Sequence, residues 1–189
     1  MVEKSSKDRL VATAAKLIWQ KGYFGTGISE VLQKSGVPKG SLYHHFPDGK
    51  MGLIREALHH ASGIMLQQYE TAMRGTKTPE KGLAAIMEHM AAVLEESEFR
   101  YGCPLATVAL ETTGETNALI QVLQASYEMW EDALAGYLAL KQVRGARDKA
   151  GLFLTLLEGG FVLAKARRDA SFIRRLIPRL SPLVLTDVD

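Results

Sequence analysis

Cysteine is almost absent from this chain, and so are long apolar runs. Its one cysteine, Cys103, cannot form an internal disulfide bond, which suits a reducing compartment. No run approaches the ~18 apolar residues of a membrane span, and the N-terminal M-V-E-K-S-S-K-D-R is charged where a secretory signal requires an apolar core. We therefore expect a cytoplasmic protein with no membrane partner.

Common catalytic and metal-binding motifs are missing as well. The sequence contains none of the motifs HExxH, P-loop, GxSxG or CxxC, and its pattern indicates no two Asp or Glu side chains that would face the interior together. We therefore expect neither an enzyme nor a cofactor. His44 and His45 do not form a metal site, because neighbours on a helix diverge and no third ligand is nearby. With 47% hydrophobic and 23% charged residues, the composition is globular and excludes a disordered or fibrous chain.

Positive charge is concentrated in the first third of the chain. Residues 1–60 carry nine Lys/Arg against five Asp/Glu, a net of +4, whereas residues 61–189 carry fourteen against sixteen, a net of −2. Four of the five histidines also lie in residues 1–60. A small positive module is suited to a polyanion, although a solvated lysine-rich face explains the same surplus.

Apolar residues recur at helical spacing along nearly the whole chain, and no segment alternates as a strand would. This pattern predicts an all-α fold, with Thr26 capping the second helix and Thr78 capping the fifth, which has Pro79 in its first turn. The predicted helices cover residues 7–21, 28–35, 39–46, about 48–74, 79–97, 104–111, 118–140, 147–166 and 171–180.

The first three predicted helices form too small a module to bury a core of their own. The long helix from about 48 to 74 is expected to supplement that core and to connect the module to a larger helical body. We therefore predict an N-terminal three-helix module at 1–50 and a second domain at 51–189.

The segment G-V-P-K-G-S-L-Y-H-H-F, residues 36–46, carries the most specific signal. Two short helices joined by a glycine-containing turn have the layout of a helix-turn-helix, whose second helix enters the DNA major groove. Leu42 and Phe46 hold this helix to the module. Its other residues offer charge, close backbone approach and hydrogen-bond donors to phosphate: Lys39, Gly40, Ser41, Tyr43 and His44. Taken alone, Tyr43 and His44 also fit packed or solvent-facing roles.

The span from about Leu10 to Leu53 resembles the DNA-binding domain of the TetR family of bacterial transcriptional regulators. The motifs that carry the resemblance are K-G-Y-F-G-T-G-I and G-V-P-K-G-S-L-Y-H-H-F-P-D-G-K. Pro38 stands where a serine often caps the third helix, and Gly27 and Gly49 weaken the starts of the second and fourth helices. The resemblance implies a DNA-binding surface, mostly toward phosphate, at Thr26, Pro38, Lys39, Gly40, Ser41, Tyr43, His44 and Lys50.

Residues 75–189 are rich in methionine and aromatic side chains. Such residues form either a plain core or an adaptable pocket for lipophilic ligands. The resemblance favours the pocket, because TetR-type regulators use this region to bind a small effector. The segment Y-G-C-P-L-A-T-V-A-L-E, residues 101–111, is similar to the LmrA-like branch. We predict effector contacts at Met65, Met87, Met90, Tyr101, Cys103, Glu111, Met129, Trp130, Phe153, Glu158 and Phe161.

Three of these residues have open alternatives. Glu111 and Glu158 either meet a cationic or hydroxyl-bearing ligand or are paired or exposed. Cys103 senses oxidants only if it is exposed with a lowered pKa, and otherwise is a buried structural thiol.

The last two predicted helices are too apolar for the ends of a monomer. The resemblance places a homodimer interface here, as a bundle of two helices from each subunit. Its expected residues are Leu152, Leu156, Gly159, Gly160, Leu163, Phe172, Leu176 and Leu180.

These expectations describe a homodimeric, ligand-responsive repressor that leaves palindromic operator DNA when a small lipophilic or aromatic effector binds. The effector would act by shifting the predicted helix at 48–74 and changing the spacing of the two recognition helices. A helical carrier of lipids or drugs is the alternative, and it leaves the basic first third unexplained.

Overall fold

The computed structural model describes residues 5–112 and 118–186. In these ranges all regular secondary structure is helical, which confirms the predicted all-α fold. The helices are α1 (Ser6–Lys21), α2 (Ile28–Ser35), α3 (Lys39–His45), α4 (Lys50–Met73), α5 (Pro79–Glu96), α6 (Pro104–Glu111), α7 (Ala118–Leu140), α8 (Ala146–Arg167) and α9 (Ser171–Leu176). None of these helices is long and apolar enough to cross a membrane.

The described residues divide into two compact units. The first lies within Met1–Ile64 and Cys103–Ser126, and the second within Met65–Gly102 and Tyr127–Asp189. The helices α4 and α7 contribute residues to both units.

The first unit contains α1, α2, α3 and α6 and packs around the apolar face of α1. The predicted inward residues Leu10, Leu17 and Ile18 are all buried, and α6 packs on α1 with Leu105 and Val108 at no exposure. The α6 helix therefore contributes to the core that the three short helices cannot form alone.

The starts of α1 and α2 are capped differently. At α1, Ser5 and Asp8 form a reciprocal capping box, which satisfies N–H groups left without helical partners. The expected cap of α2 by Thr26 is wrong. The Thr26 hydroxyl donates to the Gly22 carbonyl at 2.7 Å, and Gly27 occupies the cap position without a side-chain hydrogen bond.

The second unit packs α5, α8 and α9 against one another. Trp130, Tyr69, Phe153 and Phe161 are the largest side chains in its core, each at most 2% exposed. Trp130 stacks edge-on against Tyr69, with ring centroids 5.5 Å apart. At α5, the Thr78 side chain accepts from the Lys81 N–H at 3.4 Å, as the sequence predicted.

The C-terminal helix is shorter than its periodicity suggested. The α-helix ends at Leu176, and the chain continues as a 3-10 turn at Ile177–Arg179 and a π turn at Ser181–Leu185. Pro178 and Pro182 explain this change, because proline has no N–H to donate and its ring disfavours a continuing α-helix. The prediction that the helix extends to residue 180 was wrong because it considered apolar spacing and not Pro178.

Candidate nucleic-acid interface

The α3 helix presents one buried side and one exposed side. Leu42 and Phe46 are at most 5% exposed and anchor the helix in the first unit. Tyr43 is 47% exposed. The other exposed residues of this segment are Pro38, Lys39, Gly40 and His44, with Ser41 partly exposed. The helix thus presents a cation, backbone, hydroxyl groups and an imidazole on one outward surface.

The turn before α3 is built from Gly36, Val37 and Pro38. Gly36 closes α2 in the left-handed conformation, at φ 65°, which costs glycine little. Val37 is buried and Pro38 occupies the cap position of α3, where its missing N–H is harmless. The buried side chain of Val37 and the restricted backbone of Pro38 therefore fix the position of the exposed start of α3.

Contacts from α1 hold the other end of α3. The Ser6 hydroxyl and the His45 Nε2 are 2.8 Å apart, and the Lys7 ammonium lies 6.0 Å from the centroid of the Phe46 ring. His45 is thereby engaged within the unit, whereas His44 projects outward. Among the residues that the structure describes, no group of three or more His, Cys, Asp or Glu side chains could hold a metal.

Two lysines of the predicted surface lie against tyrosine rings. Lys39 Nζ lies 5.9 Å from the centroid of the Tyr43 ring, and Lys50 Nζ lies 4.3 Å from that of Tyr23. Burial lowers the pKa of Lys50 below its ordinary value, and the carboxylate of Glu111 opposes that shift. Each ammonium thus lies within cation–π distance of a tyrosine ring.

Thr26 differs from the other predicted contact residues. Its side chain is 1% exposed, and its hydroxyl is used by the Gly22 carbonyl. Its assignment to the DNA-binding surface stays a prediction, as do those of the other seven residues.

Two family models match this chain. Residues 10–57 match the family model described as bacterial regulatory proteins, tetR family. Residues 79–177 match the model for the C-terminal domain of LmrA/YxaF-like transcriptional regulators. The chain belongs to the TetR family of transcriptional regulators. This confirms the resemblance seen in the helix-turn-helix and at residues 101–111.

Several transcriptional regulators are similar to this chain over most of their length. A helix-turn-helix regulator of Mycobacterium tuberculosis is 32% identical, covering 96% of this chain and 95% of its own. The regulator LmrA of Bacillus subtilis is 27% identical, covering 88% and 89%. The fold is similar to that of the regulator CifR in complex with a 26-base-pair operator, with a TM-score of 0.78, 23% identity and 95% and 97% coverage.

This TetR-family chain is therefore a DNA-binding transcriptional regulator. The family models and the relatives are transcriptional regulators, which fits the expectation that the chain is not an enzyme.

The predicted effector residues do not all fall in one unit. Nine of the eleven lie in the second unit, whereas Cys103 and Glu111 lie in the first. Of the nine, six are buried and three are half-buried. The buried residues are Met65, Met87, Met90, Trp130, Phe153 and Phe161, and the half-buried ones are Tyr101, Met129 and Glu158. Burial alone fits both a plain core and a closed pocket, so these assignments stay predictions.

Cys103 and Glu111 occupy the two ends of α6. Cys103 is 4% exposed and its Sγ accepts from the Ala106 N–H at 3.4 Å, so the thiol caps the helix. The Glu111 carboxylate accepts from the Tyr23 N–H at 2.5 Å. Sequence reasoning missed both contacts because the partner of Glu111 lies 88 residues away and cysteine is not a common cap.

The second unit also has a shallow concavity of about 440 Å³ that the sequence did not indicate. It is lined by Glu70, Met73, Arg74, Ala133, Gly136, Tyr137 and Leu140, from α4 and α7. None of the predicted effector residues lines it.

The α8 helix exposes apolar side chains along one face. Leu152 and Leu163 are each 43% exposed and Val162 is 47% exposed, with Gly159 exposed between them. The predicted interface residues Leu156, Phe172 and Leu176 are partly exposed, whereas Gly160 and Leu180 are buried. A Cβ on Gly160 would lie 3.0 Å from Leu176, so this glycine faces α9 of its own chain.

Proposed function

We propose that this protein is a homodimeric repressor whose release from operator DNA is controlled by a small lipophilic or aromatic effector. The observation that carries the proposal is the two-sided α3 helix inside the matched DNA-binding segment. Leu42 and Phe46 are buried, while Lys39, Gly40, Tyr43 and His44 are exposed. An N-terminal recognition-helix surface of this composition suits phosphate and base-edge contacts.

Dimerisation is proposed on the exposed apolar face of α8. Leu152, Leu163 and Val162 are uncharged and partly exposed, and a two-fold interface buries such a face against its own copy. A two-fold dimer would place two α3 helices on half-sites about one helical turn, ~34–36 Å, apart. The corresponding operator is palindromic.

The effector is proposed to bind in the second unit, among methionine and aromatic side chains. Methionine adapts its shape, and aromatic rings provide large flat contact areas. Release requires that the effector bind the state with low DNA affinity more tightly than the state with high affinity. Because such a regulator acts on DNA inside the cell, we propose a cytoplasmic location.

The proposal is tested by mobility-shift titration of the purified protein on the DNA that flanks its own gene. The assay is run with and without a panel of aromatic and cationic compounds. We expect tight binding that one class of compound releases. Absence of binding at low salt, by a protein shown to be folded and dimeric, would contradict the proposal and favour a carrier of lipids or drugs.

A further inference from the structure

Glu111, the last residue of α6, contacts the turn that follows α1. Its Oε2 accepts from the Tyr23 N–H at 2.5 Å, and α6 packs on α1. A charged acceptor makes this a stronger hydrogen bond than one between neutral groups. The end of α6 is thus tied to the segment that leads into the helix-turn-helix.

The backbone beside this contact leaves no room for a side chain. Gly22 has φ of 71°, and a Cβ added there would overlap the Glu111 carboxylate. The carboxylate therefore lies directly against the main chain of the turn, in space that only glycine leaves open.

The same carboxylate also acts on Lys50, the first residue of α4. Lys50 Nζ lies 4.3 Å from the centroid of the Tyr23 ring, and the negative charge of Glu111 favours the protonated lysine. Tyr23 thus contacts both charged groups, because its N–H donates to the carboxylate and its ring lies near the ammonium.

We propose that Glu111 is a positioning residue that sets the DNA affinity of the helix-turn-helix. Its hydrogen bond fixes the turn after α1, and its charge competes with DNA phosphate for Lys50. The inference rests on the proposed DNA-binding surface, because it requires Lys50 to meet phosphate. It places Glu111 in a different role from the effector contact expected from the sequence.

The two effects can be separated with two substitutions. Glu111→Gln keeps an oxygen that accepts from the Tyr23 N–H but removes the charge. We therefore expect DNA affinity to rise about two- to five-fold for each DNA-binding unit. Glu111→Ala removes both, so we expect it to bind more weakly than Glu111→Gln by about two- to ten-fold. The matched control is Glu128→Gln on α7, an exposed residue whose substitution changes net charge equally.

A double-mutant cycle tests whether the charge acts through Lys50. In a Lys50→Met background, Glu111→Gln should no longer tighten binding, because the cation for which carboxylate and phosphate compete is gone. Binding is measured by fluorescence anisotropy at one fixed salt concentration, with folding of each variant checked by circular dichroism.

Amide hydrogen exchange of Tyr23 without DNA provides an independent measurement. We expect protection in the parent and in Glu111→Gln, and faster exchange in Glu111→Ala. Equal affinities of the parent, Glu111→Gln and Glu128→Gln would overturn the role in DNA affinity. If the parent bound no DNA, the proposed function would fail with it, whereas unchanged Tyr23 exchange in Glu111→Ala would overturn the proposed positioning contact alone.

Discussion

Lys39 projects from the first turn of α3, with its ammonium 5.9 Å from the centroid of the Tyr43 ring. It is exposed, and no ion pair within the described residues is shown for it. An exposed cation on a recognition helix contributes to DNA binding mainly by neutralising phosphate, which releases condensed counterions. Residue-scale effects at this surface should therefore appear in the salt dependence of binding.

Lys39→Ala should reduce the magnitude of the slope of log binding constant against log salt concentration. The expected reduction is about 0.9 for each subunit, or about 1.8 for a dimer on two half-sites. The measurement is operator binding between low and physiological salt. Lys81→Ala, at the start of α5 in the second unit, makes the same charge change away from α3 and should leave the slope unchanged. Equal slopes for the parent and Lys39→Ala would remove Lys39 from the phosphate contacts.

Gly22→Ala should destabilise the protein by about 1–3 kcal/mol, because its φ of 71° disfavours alanine and its Cβ would meet the Glu111 carboxylate. Thermal unfolding measures this as a loss of several degrees. Gly63→Ala in α4 is the matched control, because a Cβ at Gly63 meets no atom within 4 Å. Adding Glu111→Ala to Gly22→Ala should recover only part of the loss, since the backbone strain remains. Full recovery of the melting temperature would show that the positive φ at residue 22 does not destabilise the alanine variant.

At the scale of elements, α9 is fixed to α5 by a charged cluster. Arg174 donates to Glu88 at 2.9 Å and to Glu95 at 2.6 Å, and its bond to Glu95 holds the pKa of that carboxyl below its ordinary value. The carboxylates in turn raise the pKa of Arg174. The helix that follows α8 is thereby secured by side chains as well as by apolar packing.

Arg174→Met should lower the melting temperature by a few degrees at pH 7, and the difference should shrink toward pH ~3. A carboxylate whose folded pKa is depressed contributes stability above its unfolded pKa and loses it as pH falls through the folded value. On acidification the parent therefore loses the stability that the ion pair contributes, whereas the variant lacks this contribution at every pH. Arg179→Met, on an exposed side chain, is the control. A difference that stayed constant with pH would contradict the assigned role of Glu95.

Helix positions were predictable from the sequence because apolar spacing and caps are local signals. The boundaries of α2, α6 and α7 agree with the prediction, and the cap at Thr78 is confirmed. Contacts between distant segments were not predictable. The pairing of Glu111 with Tyr23 depends on how α6 packs on α1, and the burial of Thr26 depends on the turn at Gly22. The exposed face of α3 was predictable because Leu42 and Phe46 define its opposite side.

At the scale of the whole molecule, the proposed function requires two copies. Leu163→Glu places a charge on the exposed face of α8, where the single subunit has room for it. We expect a folded monomer by sedimentation, with operator affinity reduced at least about a hundred-fold because the second half-site contact is lost. Leu140→Glu, at an 85%-exposed position at the end of α7, should leave the dimer intact. A Leu163→Glu dimer would exclude this face as the interface.

The proposed function depends on contact between the exposed side of α3 and operator DNA. The most direct test is operator binding by a variant carrying both Lys39→Ala and Tyr43→Ala, checked for folding and dimerisation against the parent. We predict at least about a ten-fold loss of affinity at physiological salt, because both subunits lose phosphate and groove contacts from α3. If the double variant bound operator as tightly as the parent, the claim that α3 is the contact surface would be contradicted.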